Sequence, residues 1–312
     1  MKFVKLISEL RKTDVGIAGG KGASLGEMTN AGINVPGGFV VLSSAFDAFA
    51  LGSDVEAEIE AALKGLDRND VEAVELASEK LRAIITNTDV PAEIKAEIVA
   101  AHGKVDSKFV AVRSSATSED SATAAWAGQL ETYLNVTSKD IVDMVRRCWA
   151  SLFTPRAIVY RLSKNIDGHI SVAVVVQKMV ESEVSGVAFS VHPVTMSDDQ
   201  ILIEACIGLG EMLVSGAITP DNYVFSKSSG QIIEENINTQ SKAMVRDDGK
   251  NKVIELAEEK GSMRKISEPQ LVDLARMVMK IEKHYGFPVD VEWAIHAGRL
   301  YILQSRPITT IK

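Results

Sequence analysis

The stretch AVRSSATSEDSATAAWAGQLETYLN, residues 111–135, places the strongest constraint on how this chain folds. It joins two strand patterns through a long run of small or polar residues, and Arg113 stands at the end of the first strand. A guanidinium there can donate a planar set of N–H groups, while the small side chains leave the backbone accessible to a ligand. The alternative is a disordered surface loop, but Trp126 is an unfavourable residue to leave in water. We therefore expect a loop that closes over a ligand.

Length and charge exclude several classes of protein. A chain of 312 residues forms one large domain or two intimate ones. The net charge of −8, with no block of Lys and Arg, argues against a general nucleic-acid or membrane-surface binder. Cys148 and Cys206 lie far apart without metal-ligand spacing, which indicates two buried thiols in a reducing compartment. The start of the chain lacks the apolar core of a signal peptide and no apolar run is long enough to span a bilayer, so we expect a cytoplasmic protein.

The order of helix and strand patterns is mixed rather than strictly alternating. Amphipathic helices are predicted over 70–87 and 91–102, and a group of strands follows in the second half of the chain. The segment VESEVSG, near residues 180–185, interrupts two apolar strands and marks a boundary between lobes. These patterns predict an α+β protein.

The stretch GGKGASLGEM, residues 19–28, combines three features that suit phosphate binding. Glycines let the backbone approach a ligand closely, a helix starting at about Ala23 offers unpaired N–H groups, and Lys21 adds a positive charge. Taken alone, a glycine motif is weak evidence, and an ordinary glycine turn with a solvated lysine is the simpler interpretation. Arg113 at the base of the small-residue loop strengthens the phosphate interpretation.

The carboxyl-terminal stretch FPVDVEWAIHAGRLYILQSRPIT, residues 287–309, predicts a hairpin whose turn decides which side chains meet. A three-residue turn at 296–298 with a left-handed Gly298 pairs Asp290 with Gln304 and leaves Glu292 diagonal to Gln304. Asp290, Glu292, Gln304 and Arg306 then share one face. A two-residue turn would instead put Glu292 and Gln304 on opposite faces.

A shared face of this kind carries oxygen ligands for Mg²⁺ and an arginine within reach of the same phosphates. Phosphoryl transfer requires this combination, because it depends on positioning and charge neutralisation. Polar residues on one face of a hairpin are also commonly only solvated, so the hairpin alone leaves both interpretations standing.

Four separated motifs, in order, resemble a known family. They are GGKGASLGEM, VRSSATSEDSATAAWAGQLETYLNV, ACIGLGEMLVSGAITPDNY and DVEWAIHAGRLYILQSRP. Together they look like the ATP-binding domain shared by phosphoenolpyruvate synthase, pyruvate phosphate dikinase and rifampin phosphotransferase. The resemblance runs from residue 2 to about 309. It implies an α+β ATP-grasp fold that holds Mg-ATP between an amino-terminal lobe, residues 1–183, and a carboxyl-terminal lobe, residues 184–312.

The resemblance also implies which residues bind the phosphates of ATP. Lys21 and Arg113 are expected to contact them directly. The loop that includes Gly128 and Gln129 is expected to cover them, and Thr132 is expected to lie close by.

Adenine and metal positions follow from the same resemblance. Gln177, with the backbone of Met179 and Val180, is expected to border the adenine, and Glu292 and Gln304 are expected to bind Mg²⁺. Three residues are expected to act in catalysis: Lys21, Arg113 and Arg306.

Members of this family pass the phosphoryl group to a histidine on a swivelling domain, which carries it to a third domain. None of the five histidines here stands in a glycine-threonine-rich context like that of the family's phosphohistidine. We therefore expect phosphohistidine and pyruvate-binding domains in trans or in a longer native chain.

The reaction expected by resemblance is transfer of a phosphoryl or diphosphoryl group from ATP to that histidine, the first half-reaction of phosphoenolpyruvate synthesis from pyruvate. The ATP domain of a pyruvate phosphate dikinase or of a rifampin phosphotransferase is an alternative within the family. A non-catalytic ATP-sensing regulatory module is the alternative from another class.

Overall fold

The computed structural model describes residues 2–117, 131–164, 166 and 171–308. Helices and strands both contribute substantially to these residues, which confirms the mixed α and β composition. In chain order the helices are α1 (Val15–Asn30), α2 (Ser43–Leu51), α3 (Val55–Leu63), α4 (Val71–Asn87), α5 (Ala92–His102), α6 (Ile141–Ala150), α7 (Pro155–Ser163), α8 (Glu211–Val214), α9 (Glu258–Gly261) and α10 (Glu268–Tyr285). The strands are β1 (Val4–Leu6), β2 (Gly38–Val41), β3 (Val110–Ala116), β4 (Thr132–Val136), β5 (Val172–Lys178), β6 (Val184–Phe189), β7 (Gln200–Ile207), β8 (Asp221–Ser226), β9 (Gln231–Asn236), β10 (Lys242–Asp247), β11 (Lys250–Glu255), β12 (Val289–His296) and β13 (Arg299–Pro307).

The chain divides into two compact units. Unit 1 comprises Met1–Glu27 and Gly37–Met179, and unit 2 comprises Met28–Pro36 and Val180–Lys312. The lobe boundary between residues 183 and 184 stays a prediction.

Unit 1 is built on an antiparallel sheet with the strand order β1-β2-β5-β3-β4 among the described residues. Residues 172–176 of β5 are apolar and fully buried on both faces, which is why this strand takes the central position. Trp149 on α6 packs against Phe46 and Phe49 of α2, with the Phe49 and Trp149 ring centroids 5.0 Å apart. The aromatic group anchors these helices in the core of unit 1.

Unit 2 is built on a second antiparallel sheet, whose strand order in the described part of the chain is β13-β12-β6-β7-β8-β9. α10 begins after a Ser267 capping box and ends at Gly286, whose φ of 78° is the left-handed conformation that terminates many helices. The buried stripe of α10, Leu271 to Ile281, packs against the sheet at β12. This stripe covers one side of the sheet at β12.

The two sides of the unit 2 sheet differ in chemistry. On the α10 side, Val291 of β12 pairs with Ala188 of β6, and Ser190, two residues further along, donates to Glu282 of α10 at 2.8 Å. The opposite side carries the intervening residues of β12, Asp290 and Glu292. We refer to this opposite side, on which Gln304 and Arg306 also lie, as the polar face.

The β10–β11 hairpin was not predicted from the sequence, although a signal for it was present. Asp248 and Gly249 form its turn with φ values of 45° and 76°, and Asp-Gly is a preferred pair for a two-residue hairpin turn. The Met244 carbonyl of β10 accepts from the backbone N–H of Leu209 at 2.8 Å, so this hairpin fixes the start of the GLGEM segment.

Across the ranges that the structure describes, no helix combines the length and the apolar character needed to cross a lipid bilayer.

Candidate functional site

The glycine-rich segment of unit 1 is held against β3 by one buried serine. The hydroxyl of Ser115 donates to the Ala18 carbonyl at 2.9 Å and accepts from the Gly22 backbone N–H at 3.3 Å. Gly19, between these two residues, has φ 68° and ψ 169°, a conformation essentially confined to glycine. The predicted helix start near Ala23 is a few residues late, because a helical segment already follows the kink at Gly19 and runs to Asn30. α1 begins at Val15 and is interrupted at Gly19, because the chain bends there to meet Ser115.

Arg113 and Thr132 lie directly opposite each other on β3 and β4. Directly paired residues of an antiparallel sheet point to the same face, and Ser115, two residues beyond Arg113, points there as well. Since Ser115 holds the segment that contains Lys21, the structure brings three of the predicted phosphate residues, Lys21, Arg113 and Thr132, to one side of the unit 1 sheet.

The predicted adenine-binding residues stand at the end of β5. Gln177 is 3% exposed, and its Nε2 has no hydrogen-bond partner in the part of the chain that the structure describes. An unpartnered buried donor of this kind is uncommon in folded proteins. The Met179 N–H donates to the Phe109 carbonyl at 3.1 Å, so Met179 can offer a ligand its carbonyl oxygen rather than its N–H. The Val180 carbonyl accepts from Ser182 at 3.0 Å, so Val180 can offer its N–H.

The hairpin that carries the predicted metal ligands differs from the expectation in its turn and register. The turn has two residues, Ala297 and Gly298, with φ values of 49° and 73°, where a three-residue turn was expected. The predicted pairing of Asp290 with Gln304 was therefore wrong: Glu292 lies directly opposite Gln304, and Asp290 lies opposite Arg306.

A β-bulge explains why a two-residue turn does not separate Glu292 from Gln304. Trp293 pairs with Ile302, and the preceding residue of β12, Glu292, pairs with Gln304, so Leu303 is an extra residue in β13. The extra residue returns Gln304 and Arg306 to the face that carries Asp290 and Glu292, although the pairing itself differs from the expected one. Asp290, Glu292, Gln304 and Arg306 consequently share one face, as the sequence predicted.

Groups of opposite charge meet on this part of the polar face. Arg306 Nη2 lies 3.3 Å from Asp290 Oδ2 and 3.9 Å from Glu292 Oε1. Burial raises the pKa of Asp290 above its usual range, and the nearby Arg306 opposes this effect. Gln304 is 1% exposed, so its amide is held inside the structure beside Glu292. Two carboxylates, one amide and one guanidinium therefore stand together on the hairpin.

This donor set fits Mg²⁺, which prefers oxygen ligands and commonly takes only one or two carboxylates together with phosphates and water. Within the described ranges no three His, Cys, Asp or Glu side chains converge as a metal site of their own. Glu292 and Gln304 would supply protein oxygens to an ion whose remaining ligands come from elsewhere.

Two of the predicted site residues, Gly128 and Gln129, lie outside the described residues, as does the rest of the loop predicted to cover the phosphates.

Sequence reasoning missed the positioning role of Ser115 and the ion pair that Asp290 makes with Arg306. The signal for Ser115 was its spacing of two residues from Arg113 on one strand, which places both side chains on one face. Glu211, to which the sequence assigned no role, accepts from Asn251 Nδ2 at 2.5 Å, and burial raises its pKa. This contact joins α8 to the β10–β11 hairpin.

Comparison with known proteins then identifies the family. Residues 15–312 match the family model described as pyruvate phosphate dikinase, AMP/ATP-binding domain. The chain belongs to this family. It is 45% identical, over its full length, to a probable phosphoenolpyruvate synthase of Methanothermobacter thermautotrophicus, and it covers 46% of that relative.

Other members of the family show the same partial coverage. The chain is 46% identical to a probable phosphoenolpyruvate synthase of Archaeoglobus fulgidus over 98% of its own length, and it covers 41% of that protein. It is 40% identical to the phosphoenolpyruvate synthase of Pyrococcus furiosus and covers 44% of it. The chain thus spans less than half the length of these three relatives.

Proposed function

We propose that this chain binds Mg-ATP in an ATP-grasp fold and transfers a phosphoryl or diphosphoryl group to a histidine on a separate domain. The observation that carries the proposal is the pairing of Glu292 with Gln304 and of Asp290 with Arg306 on one face of a hairpin, in a chain of an AMP/ATP-binding family. The pairing places metal-binding oxygens beside a guanidinium, which is the combination that phosphoryl transfer uses.

Three polar groups support a role in recognising adenine. Gln177 Nε2 is a buried donor that an acceptor nitrogen of the base would satisfy. The Met179 carbonyl could accept from the exocyclic amino group, and the Val180 N–H could donate to a ring nitrogen. These are the donors and acceptors that a purine edge requires.

Lys21, Arg113 and Arg306 would act on the phosphates. Lys21 is carried by a segment fixed to β3, and Arg113 lies on β3 itself, so both cations would be held in place before ATP arrives. Glu292 and Gln304 would bind Mg²⁺, which would neutralise phosphate charge and orient the phosphates. Arg306, held by Asp290, would stabilise the negative charge that develops during transfer.

The names of the relatives suggest the reaction of the whole protein. Proteins of the length of these relatives have room for the phosphohistidine and pyruvate-binding domains expected from the sequence. We therefore assign this chain to the first half-reaction of phosphoenolpyruvate synthesis from pyruvate, in the cytoplasm, with the histidine-bearing domain as its immediate partner.

The test uses the chain, Mg-ATP and a phosphohistidine domain from the same family. ATP binding is measured by calorimetry, and the nucleotide product is identified by chromatography. We expect AMP to form only when the histidine domain is present. Arg306→Ala should reduce turnover at least 100-fold, as removal of one charge-stabilising donor does in other enzymes.

Arg299→Ala is the matched control, because Arg299 begins the same strand and is exposed. Its turnover should remain near that of the wild type. ATP that binds and stays intact with a competent partner domain, or full turnover by Arg306→Ala, would refute the catalytic assignment.

A further inference from the structure

A row of directly paired residues extends from the predicted metal hairpin across the unit 2 sheet. Glu292 pairs with Gln304 on one side and with Val187 of β6 on the other. Val187 pairs with Glu204 of β7, and Glu204 pairs with Asn222 of β8. Because paired residues of antiparallel strands point to one face, Glu204 stands on the same polar face as Glu292.

The surroundings of Glu204 differ from those of the other partly buried carboxylates in unit 2. Asp290 is paired with Arg306, and Glu282 is paired with Lys227 at 2.6 Å. Glu204 forms no ion pair or side-chain hydrogen bond with any residue that the structure describes. Burial raises its pKa, and no neighbouring cation opposes that shift. Holding an ionised carboxylate there is unfavourable for the protein alone, so a positively charged or hydrogen-donating ligand would compensate it.

The position in the row limits what that ligand can be. Two strand spacings place the Cα atoms of Glu292 and Glu204 about 9–10 Å apart, and side chains that extend perpendicular to the sheet keep their carboxylates at a similar separation. Two oxygen atoms bound directly to one Mg²⁺ lie at most about 4 Å apart. If one carboxylate binds the ion and the other accepts from a water on the ion, the oxygen atoms of the two carboxylates lie about 7 Å apart. The spacing therefore favours a water-mediated contact over a direct one, and Mg²⁺ characteristically retains several waters.

We propose that Glu204 is a positioning residue of the nucleotide site, accepting a hydrogen bond from a water bound to the Mg²⁺ that Glu292 and Gln304 hold. This inference rests on the proposed function, since it requires the metal to be bound at the hairpin. The carboxylate orients the hydrated ion from the side opposite Gln304, across the half-exposed Val187. Outer contacts of this kind commonly change metal affinity by 10–100-fold.

The test measures Mn²⁺ as a spectroscopic substitute for Mg²⁺, bound to the full chain with a non-hydrolysable ATP analogue. Electron paramagnetic resonance gives the free Mn²⁺ concentration and therefore the affinity. Glu204→Gln should weaken Mn²⁺ binding about 10-fold, and Glu292→Gln should weaken it further. Asp273→Asn removes the same charge from an exposed position on α10, on the other side of the sheet, and should leave the affinity unchanged.

Thermal unfolding without metal or nucleotide separates a positioning role from a structural one. Glu204→Gln should unfold at the same temperature as the wild type or higher, because the substitution removes a buried charge. An affinity unchanged in Glu204→Gln but reduced in Glu292→Gln would overturn this inference alone. Unchanged affinity in Glu292→Gln would overturn the proposed metal site with it. Reduced affinity accompanied by a lower unfolding temperature in Glu204→Gln would assign the residue a structural role and also refute the proposal.

Discussion

Gly19→Ala tests whether the bend that carries Lys21 depends on glycine. A Cβ at this position would lie 2.6 Å from the Ser115 carbonyl carbon and would also overlap the carbonyl oxygen and Oγ of Ser115. The overlapped backbone belongs to β3, which is paired on both sides, so it cannot move aside cheaply. Backbone strain at this φ and ψ costs about 1–3 kcal/mol. Overpacking adds about 1–3 kcal/mol, so we expect a loss of about 2–6 kcal/mol in the free energy of unfolding.

The assay is denaturant unfolding followed by circular dichroism, together with calorimetric ATP binding, which should weaken as Lys21 is displaced. Gly16→Ala is the matched control in the same helix, since a Cβ at residue 16 meets nothing within 4 Å. That variant should be neutral or more stable by up to about 1 kcal/mol. Adding Ser115→Ala to Gly19→Ala should not restore stability, because the overlap with the backbone carbonyl remains. Wild-type stability and ATP affinity in Gly19→Ala would refute the argument.

Two further predictions concern buried groups. Burial raises the pKa of Cys148 to about 12 and that of Cys206 to about 11, so less than about one molecule in a hundred carries either thiolate at pH 9. The folded chain should therefore fail to react with Ellman's reagent, while the unfolded chain should release two equivalents; rapid reaction of the folded chain would contradict this. Lys265 and Asp221 form an ion pair 2.9 Å long with both side chains 0% exposed. Lys265→Met should lower the free energy of unfolding by about 3–5 kcal/mol, measured in urea, whereas Met at the exposed Lys260 should change it by less than about 0.5 kcal/mol; equal midpoints for the two variants would exclude a stabilising role for the pair.

Elements with a repeating apolar pattern were the most predictable part of the fold. The helices predicted over 70–87 and 91–102 correspond to α4 and α5, because the spacing of apolar residues along a helix is a local property of the sequence. The short helix α2 and the β10–β11 hairpin were missed. Helix α2 is only nine residues long and the hairpin is largely exposed, so neither gives a long periodic pattern of apolar residues.

The hairpin shows where reasoning from sequence reaches its limit. The two-residue spacing of Asp290 and Glu292, and of Gln304 and Arg306, fixes that each pair shares a face. Which residues meet across the strands depends on the turn and on the bulge at Leu303, and the expected three-residue turn gave the wrong partners. The shared face was nevertheless correct, because the bulge compensates for the shorter turn.

The sequence by itself determined the types of chemistry available: a lysine among glycines, an arginine at the end of a buried strand, and carboxylate, amide and guanidinium groups in one hairpin. It also determined the family, through motifs that are continuous along the chain. The tertiary structure decided which of these groups stand together. Ser115 contacts Gly19 and Gly22, which lie more than ninety residues earlier in the chain. Glu204 is aligned with Glu292 because both pair with Val187 of β6. Those placements depend on hydrogen-bond register between distant strands, which a local pattern of residues does not encode.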